Sequence, residues 1–258
     1  MLEENIIIFT DLDGTLLDHD SYSFKEASFM LDFIKKHDIP LIIVTSKTKN
    51  EVIRLQKLLD ISTPFIIENG AGICVSRFQD YEMISLGKDY NEIRSAFKRY
   101  ARQIEMRGFF DMSIEEISEY TGLDSEHAAY AKERDYTEPF ILQDEDQLPA
   151  LQEMARKDGL DVVQGGRFYH LITRGQDKAA AVKKVVQYYQ KAKSCTYKTV
   201  GLGDSENDLS MLQSVDTPVL IPHPDGSYLE CTIEGVIRAT FPGPKGWNAV
   251  LKEYFDVK

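Results

Sequence analysis

Two short acidic stretches, each at the end of an apolar run, carry side chains that could act on a phosphate ester. In IIIFTDLDGTLLD, Asp11 and Asp13 directly follow a strand-like apolar segment. Successive strand side chains alternate faces, but Gly14 permits a sharp backbone turn, so Asp11, Asp13 and Thr15 can converge on one pocket. In VGLGDSENDLSML, a second apolar run ends at Gly203 and delivers Asp204, Ser205, Asn207 and Asp208. Each stretch alone also reads as a turn or helix cap, for which Asp and Ser are common. Together they crowd several carboxylates at one sheet edge. Such groups repel unless a hard cation sits among them, and Mg²⁺ suits few carboxylates, waters and a substrate phosphate. Between the acidic pairs stand Thr45, after PLIIV, and Lys178, at the start of a helical segment. A hydroxyl and an ammonium would complete an anion site, although either could also be structural or solvated.

The elements that must carry these residues follow from periodicity. Apolar Ile6–Phe9, helical Phe24–His37, apolar Pro40–Val44, helical Thr48–Asp60 and apolar Pro64–Ile67 alternate as βαβ units do. The last third repeats the rhythm: a helix from Asp177 to about Gln190, strand Thr199–Leu202, helix Glu206–Ser214, strand Pro218–Ile221 and helix Pro244–Phe255. The expectation is an α/β fold with a Rossmann-like parallel-sheet core, in which ligands bind at the carboxyl edge. The middle is more polar, with a capping-box pattern at Ser113 and Glu116, helical stretches Glu92–Glu105 and Ser125–Glu133, and strand-like Phe140–Leu142, Leu160–Val163 and Phe168–Ile172. It reads as an inserted α+β domain over residues 84–173, with residues 1–83 and 174–258 forming the core.

The chain has 258 residues, a net charge of -12 and 43% hydrophobic residues. That acidity disfavours nucleic acid and anionic membrane surfaces as partners, because both are polyanions. An anionic small molecule needs a local cationic cluster. Cys74, Cys195 and Cys231 are odd in number and far apart, which fits buried thiols in a reducing cytoplasm. The start MLEEN lacks the basic and apolar regions of a signal peptide, and no apolar run approaches a membrane span. Both features agree with a cytoplasmic location.

DLDGT, Thr45, Lys178 and GDSEND, in this order, resemble the haloacid dehalogenase-type phosphotransferase superfamily. TSKT at 45–48, IIENGAG at 66–72, GGRFYH at 165–170 and FPGPKGW at 241–247 resemble, more narrowly, the mannosyl-3-phosphoglycerate phosphatase family. The likeness runs nearly end to end and implies that the insertion is a cap of the larger α/β type. It implies Asp11 as nucleophile and Asp13 as general acid and base, with Thr45 and Lys178 holding the transferring oxygens. It implies Mg²⁺ bound by the Asp11 side chain, the Asp13 backbone carbonyl and Asp204, with Asp208 supporting that shell and Asn207 reaching it. Ser46-Lys47 stands where many relatives of the wider superfamily have Gly-Arg, and Ala179 where many have Gly. The first change keeps a cation and matches the narrower family; the second loosens the match without touching the catalytic assignment.

Substrate selection is expected from the insertion, because a phosphatase core binds only the phosphate. Arg134, Arg167, Tyr169 and His170 concentrate there, and arginine suits a carboxylate such as that of a phosphoglycerate. Arg134 could instead pair within its own helix, and His170 could be a core histidine. Ser46, Lys47, Glu68, Asn69 and Asn207 are the expected core-side substrate contacts, with Glu68 and Asn69 at the seam. A sugar phosphate is the expected substrate, mannosyl-3-phosphoglycerate first and glucosyl-3-phosphoglycerate second. A phosphomutase would share the same core motifs. A catalytically dead binding module is disfavoured by the presence of both Asp11 and Asp13.

Overall fold

A computed structural model describes residues 5–77, 80–165 and 168–257. The first part contains β1 (Ile6–Thr10), α1 (Ser28–Lys36), β2 (Leu41–Ile43), α2 (Lys49–Leu59), β3 (Phe65–Ile67), β4 (Gly72–Arg77) and β5 (Asp80–Ser85). A second layer follows with α3 (Tyr90–Tyr100), β6 (Met106–Gly108), α4 (Ile114–Thr121), α5 (Ser125–Lys132), β7 (Glu138–Leu142), α6 (Leu148–Lys157), β8 (Leu160–Gln164) and β9 (Tyr169–Thr173). The chain then returns through α7 (Lys178–Lys193), β10 (Lys198–Gly203), α8 (Leu209–Ser214), β11 (Thr217–Leu220), β12 (Ile237–Arg238) and α9 (Gly243–Tyr254).

The core sheet is parallel, in the order β12-β11-β10-β1-β2, and β3 extends it through a parallel bridge between Val44 and Ile66. Every residue of β1 is buried, as a strand covered on both faces requires. Its alternation feeds two cores: Ile6 and Ile8 pack on one face with Leu41, Val200 and Trp247, whereas Ile7 and Phe9 pack on the other with Val182 and Leu220. Register then decides where the polar residues emerge. Thr10 is aligned with both Leu202 and Ile43, so Asp11, Asp204 and Thr45 all leave the sheet at the same carboxyl edge.

The antiparallel sheet of the second layer, β6-β7-β9-β8, carries its own apolar cluster around Phe97, Phe140, Leu151 and Leu171. A parallel core bearing such an inserted α+β layer is the fold class read from the sequence. Three details differ from that reading. The hairpin β4–β5 was not anticipated, because its strands mix charged and apolar residues without clean alternation. It runs to Ser85, which leaves residues 84 and 85 in the hairpin rather than in the inserted layer. The helix expected over 92–105 stops at Tyr100, so Glu105 lies outside it, and the segment after Glu105 becomes β6. Among the described residues, no helix is long and apolar enough to cross a membrane.

Candidate active site

Asp11 is tied to the sheet through its N–H, which donates to the Leu202 carbonyl at 2.9 Å. Its own carbonyl accepts from the Thr10 hydroxyl at 2.8 Å, and that hydroxyl accepts from Trp247 Nε1 at 3.1 Å. The single tryptophan of the chain thus braces the strand end. Sequence reading recorded it only within a family motif. At Gly14 the backbone turns with φ of 75°, and a Cβ there would stand 2.5 Å from Asp204 Oδ2. The glycine is needed for the turn and for the close approach of the second acidic loop. Thr15 Oγ1 donates to Asp204 Oδ1 at 3.1 Å, which links the two stretches directly.

Lys178 is delivered into this cluster by a helix cap. Asp177 accepts from the Ala180 N–H at 2.7 Å, which makes Lys178 the first residue of α7. Its side chain is fully buried, and Nζ donates to Asp11 Oδ1 at 2.7 Å and to Asp208 Oδ1 at 2.6 Å. Burial alone would favour a neutral amine, but the carboxylates of Asp11 and Asp208 outweigh it and hold the ammonium above its ordinary range. The acids respond in the opposite sense. Burial, then repulsion from Asp208, pushes the Asp11 carboxyl well up against the pull of Lys178. The same two causes push Asp204 up to about 7.

Asp208 is occupied. Besides Lys178, it accepts from the backbone N–H groups of Asp204 and Ser205, both at 3.1 Å. Asp13 has one oxygen 2.9 Å from Lys47 Nζ, while its other oxygen, Oδ1, is buried without a hydrogen-bond partner among the described residues. Ligand oxygens of Asp11, Asp204 and Asp208 lie within 4.8 Å of one another. Four carboxylates therefore face the two ammonium groups of Lys47 and Lys178. When ionised, they and Glu51, 3.9 Å from Lys47 Nζ, outnumber the ammonium groups, and a divalent cation would offset the surplus in part. The all-oxygen donor set of Asp11, Asp204 and Asp208 fits a hard ion.

A cavity of about 180 Å³ opens above these groups at the seam between the layers. Asp11, Asp13, Asp204, Ser46, Lys47 and Asn207 line its core side, and Phe109, Arg134, Phe168 and His170 line its cap side. The Arg134 guanidinium is almost fully buried. It donates to the Ser46 carbonyl at 2.7 Å and the Ala131 carbonyl at 3.0 Å, and its nearest carboxylate, on Glu68, is 4.0 Å away. It crosses the seam rather than pairing within its own helix. Arg167 lies outside the described residues. Phe109, Pro139 and Phe168 were missed by sequence reading, because an apolar ring or proline carries no signal distinguishing a cavity wall from a core.

The other expected contacts separate. Tyr169 lines a different cavity, of about 580 Å³, and not the one above Asp11. The reason is the strand period: Tyr169 and His170 are consecutive in β9 and face opposite sides. Asn69 also lines that second cavity, and its Oδ1 accepts from Asn207 Nδ2 at 3.1 Å. Thr45 is buried, with its hydroxyl accepting from the Lys47 N–H at 3.2 Å. Glu68, expected to contact substrate, has no exposed surface, and both its oxygens are taken by N–H groups of residues 135–137.

His170 is 6% exposed, and its Nδ1 is buried without a partner among the described residues. Burial, with Arg134 and Lys178 nearby, pushes its pKa down to about 3, so the folded ring is neutral. The unfolded chain would bind a proton near pH 6.5 that the folded chain refuses. Stability from this group is therefore present above pH 6.5 and lost as pH falls towards 3. Urea unfolding from pH 6.5 to 4 is expected to show a slope up to about 1.4 kcal/mol per pH unit steeper in the wild type than in His170→Gln. Parallel slopes would mean that the folded imidazole takes up its proton.

Comparison with known proteins places this geometry in a family. The profile of the haloacid dehalogenase-like hydrolases matches residues 8–222. A Persephonella marina protein named glucosyl-3-phosphoglycerate/mannosyl-3-phosphoglycerate phosphatase is 48% identical over 254 residues, covering 94% of each chain. A Methanococcoides burtonii protein of the same name is 37% identical over 263 residues, covering 96% of each. Among solved structures, a Thermoplasma acidophilum protein superposes with a TM-score of 0.75 at 18% identity, covering 98% of this chain and 99% of that one. With its profile match and these relatives spanning nearly the whole length, the chain belongs to the haloacid dehalogenase-like hydrolases.

Proposed function

We propose that this protein is a Mg²⁺-dependent phosphatase that removes phosphate from a sugar-bearing 3-phosphoglycerate through an aspartyl-phosphate on Asp11. The observation that carries the reading is the convergence of Asp11, Asp13 and Asp204 on a cavity whose far wall holds Arg134 and His170, with Lys178 bonded to Asp11 from behind. A carboxylate oxygen of Asp11 attacks phosphorus, and the phosphorus–oxygen bond to the sugar breaks. Asp13 gives its proton to the leaving alkoxide, then takes one from water, which attacks the acyl phosphate and frees Asp11. Lys178 neutralises charge on the transferring oxygens and the Thr45 hydroxyl would hydrogen-bond them, so positioning and electrostatics carry the reaction. Asp11, Asp204 and the Asp13 backbone would hold Mg²⁺, with Asp208 orienting them; bound there, the ion supplies positive charge to the phosphoryl group. Ser46, Lys47 and Asn207 line the phosphate end of the cavity.

The relatives' names support a phosphoglycerate substrate, and Arg134 supplies a chemical reason. A nearly buried guanidinium whose nearest carboxylate among the described residues, on Glu68, is 4.0 Å away and already held by backbone amides has charge to offer an incoming carboxylate. Neutral His170 would hydrogen-bond a substrate hydroxyl. The three cysteines are free, which supports a cytoplasmic setting; Cys74 is buried as expected, whereas Cys195 and Cys231, expected to be buried, are only half-buried. The test is release of inorganic phosphate from glucosyl- and mannosyl-3-phosphoglycerate with Mg²⁺, compared with p-nitrophenyl phosphate. Both sugar substrates should turn over, and dialysis against EDTA should abolish activity. Arg134→Ala should cost roughly ten- to a hundredfold in kcat/KM on the sugar substrates, as expected for loss of a charged hydrogen bond, and little on the aryl ester. Equal losses on both would assign Arg134 to holding the seam and remove the carboxylate argument.

A further inference from the structure

Glu68 has a role that neither a substrate contact nor a metal ligand accounts for. It follows β3, and its side chain has no exposed surface. Its Oε1 accepts from the Asp135 N–H at 2.8 Å. Its Oε2 accepts from the N–H groups of Tyr136 at 3.1 Å and Thr137 at 2.8 Å, and from the Thr137 hydroxyl at 2.7 Å. Those donors sit on the strap that leads from α5 into β7. One core carboxylate thus binds three consecutive backbone amides of the cap.

The backbone beneath this carboxylate is unusual. Glu68, Asn69 and Gly70 have φ of 48°, 58° and 90°, three successive residues in the left-handed region. For the two non-glycine residues this costs of order 1 kcal/mol each or more, and it persists only where surrounding contacts impose it. The strap supplies contacts on one side. On the other, a Cβ at Gly70 would stand 2.2 Å from the Asp177 carbonyl oxygen and 3.0 Å from the Lys178 nitrogen, so the turn rests directly on the start of α7. Gln176 Nε2 also donates to the Glu68 carbonyl at 2.8 Å. The same turn reaches the remaining core loops: the Asn69 N–H donates to the Thr45 carbonyl at 2.9 Å, and Asn69 Oδ1 accepts from Asn207 at 3.1 Å.

We infer that Glu68 is a positioning residue: its carboxylate uses the docked strap Asp135–Thr137 to hold the left-handed turn against α7, and the turn in turn sets where Lys178 stands between Asp11 and Asp208. Cap docking and placement of the phosphate-binding ammonium are then one event. The inference rests on the phosphatase reading for the role of Lys178, but not on the identity of the sugar substrate.

Glu68→Gln is the direct test, because the amide keeps the size of the side chain but turns an NH₂ towards backbone N–H donors. In the full-length enzyme with Mg²⁺, the inhibition constant of inorganic phosphate against p-nitrophenyl phosphate turnover should rise about tenfold, and kcat should fall to a similar extent. Glu68 touches neither molecule, so both changes report on the groups that the turn positions, Lys178 foremost, with Thr45 and Asn207 beside it on the same turn. Thr137→Val, which removes one of the four donors, should shift both quantities two- to fivefold in the same direction, and it carries the test if Glu68→Gln does not fold. Unchanged phosphate inhibition and kcat, with a raised KM for the sugar phosphoglycerate alone, would overturn the proposal and confine Glu68 to cap docking. Variants identical to wild type would overturn it as well. A wild-type enzyme indifferent to phosphoglycerates would instead count against the substrate reading and leave this one standing.

Discussion

Asp11→Asn should reduce Mg²⁺-dependent phosphate release to background, a loss of at least about 10⁴-fold, while leaving the fold in place. Covalent catalysis needs an anionic oxygen that can form a bond to phosphorus, and a carboxamide of the same shape is a poor nucleophile. The effect should be the same for sugar and aryl substrates, because the nucleophile serves every leaving group. The site predicts that the variant keeps its stability or gains some. Asp11 is buried beside Asp204 and Asp208, with Lys178 as the cation bonded to it, so removing its charge relieves repulsion while the amide oxygen can still accept from Lys178 Nζ. Single-turnover phosphate release and thermal unfolding of the two proteins check both halves. Turnover above a trace would remove Asp11 from the covalent step.

Lys178→Met should be nearly as damaging to turnover, about 10²- to 10³-fold, but with the opposite effect on stability. Nζ is shared by Asp11 and Asp208, and the side chain has no solvent exposure. Deleting the ammonium leaves two buried carboxylates without their cation, and breaking such a pair typically costs about 3–5 kcal/mol. The loss in rate follows because a fixed positive charge in a water-poor site contributes most where negative charge builds up on the transferring oxygens. Mg²⁺ should restore part of the stability and little of the rate, since it can supply charge to the cluster without occupying the position of Nζ. Denaturant unfolding with and without Mg²⁺, beside steady-state kinetics, separates the two. A Lys178→Met enzyme with wild-type kcat would assign the lysine to structure alone.

These two residues were legible in the sequence because their signals are local. An apolar strand that ends in Asp-x-Asp-Gly must expose its acids at a sheet edge, and a lysine one position after a capping aspartate must begin a helix. Parallel βαβ rhythm then places such strand ends at one edge, since every strand points the same way. The core strands, most helices and the acidic cluster with its lysine follow from these short-range rules.

The seam was decided by tertiary structure. Nothing local to Glu68 announces that its carboxylate collects three amides from residues 135–137, because hydrogen bonds to backbone N–H groups leave no mark on the identity of the donors. The alternation in β9 required Tyr169 and His170 to part, but only docking of the cap determined which of them faces the aspartates. Arg134 looked like one member of a charged helical run until the fold carried it across to the Ser46 carbonyl. The grouping of acids at the strand ends is local, set by geometry confined to a few residues. Which cap groups meet those acids depends on how two separately packed layers settle against each other, and no periodicity within either layer encodes it.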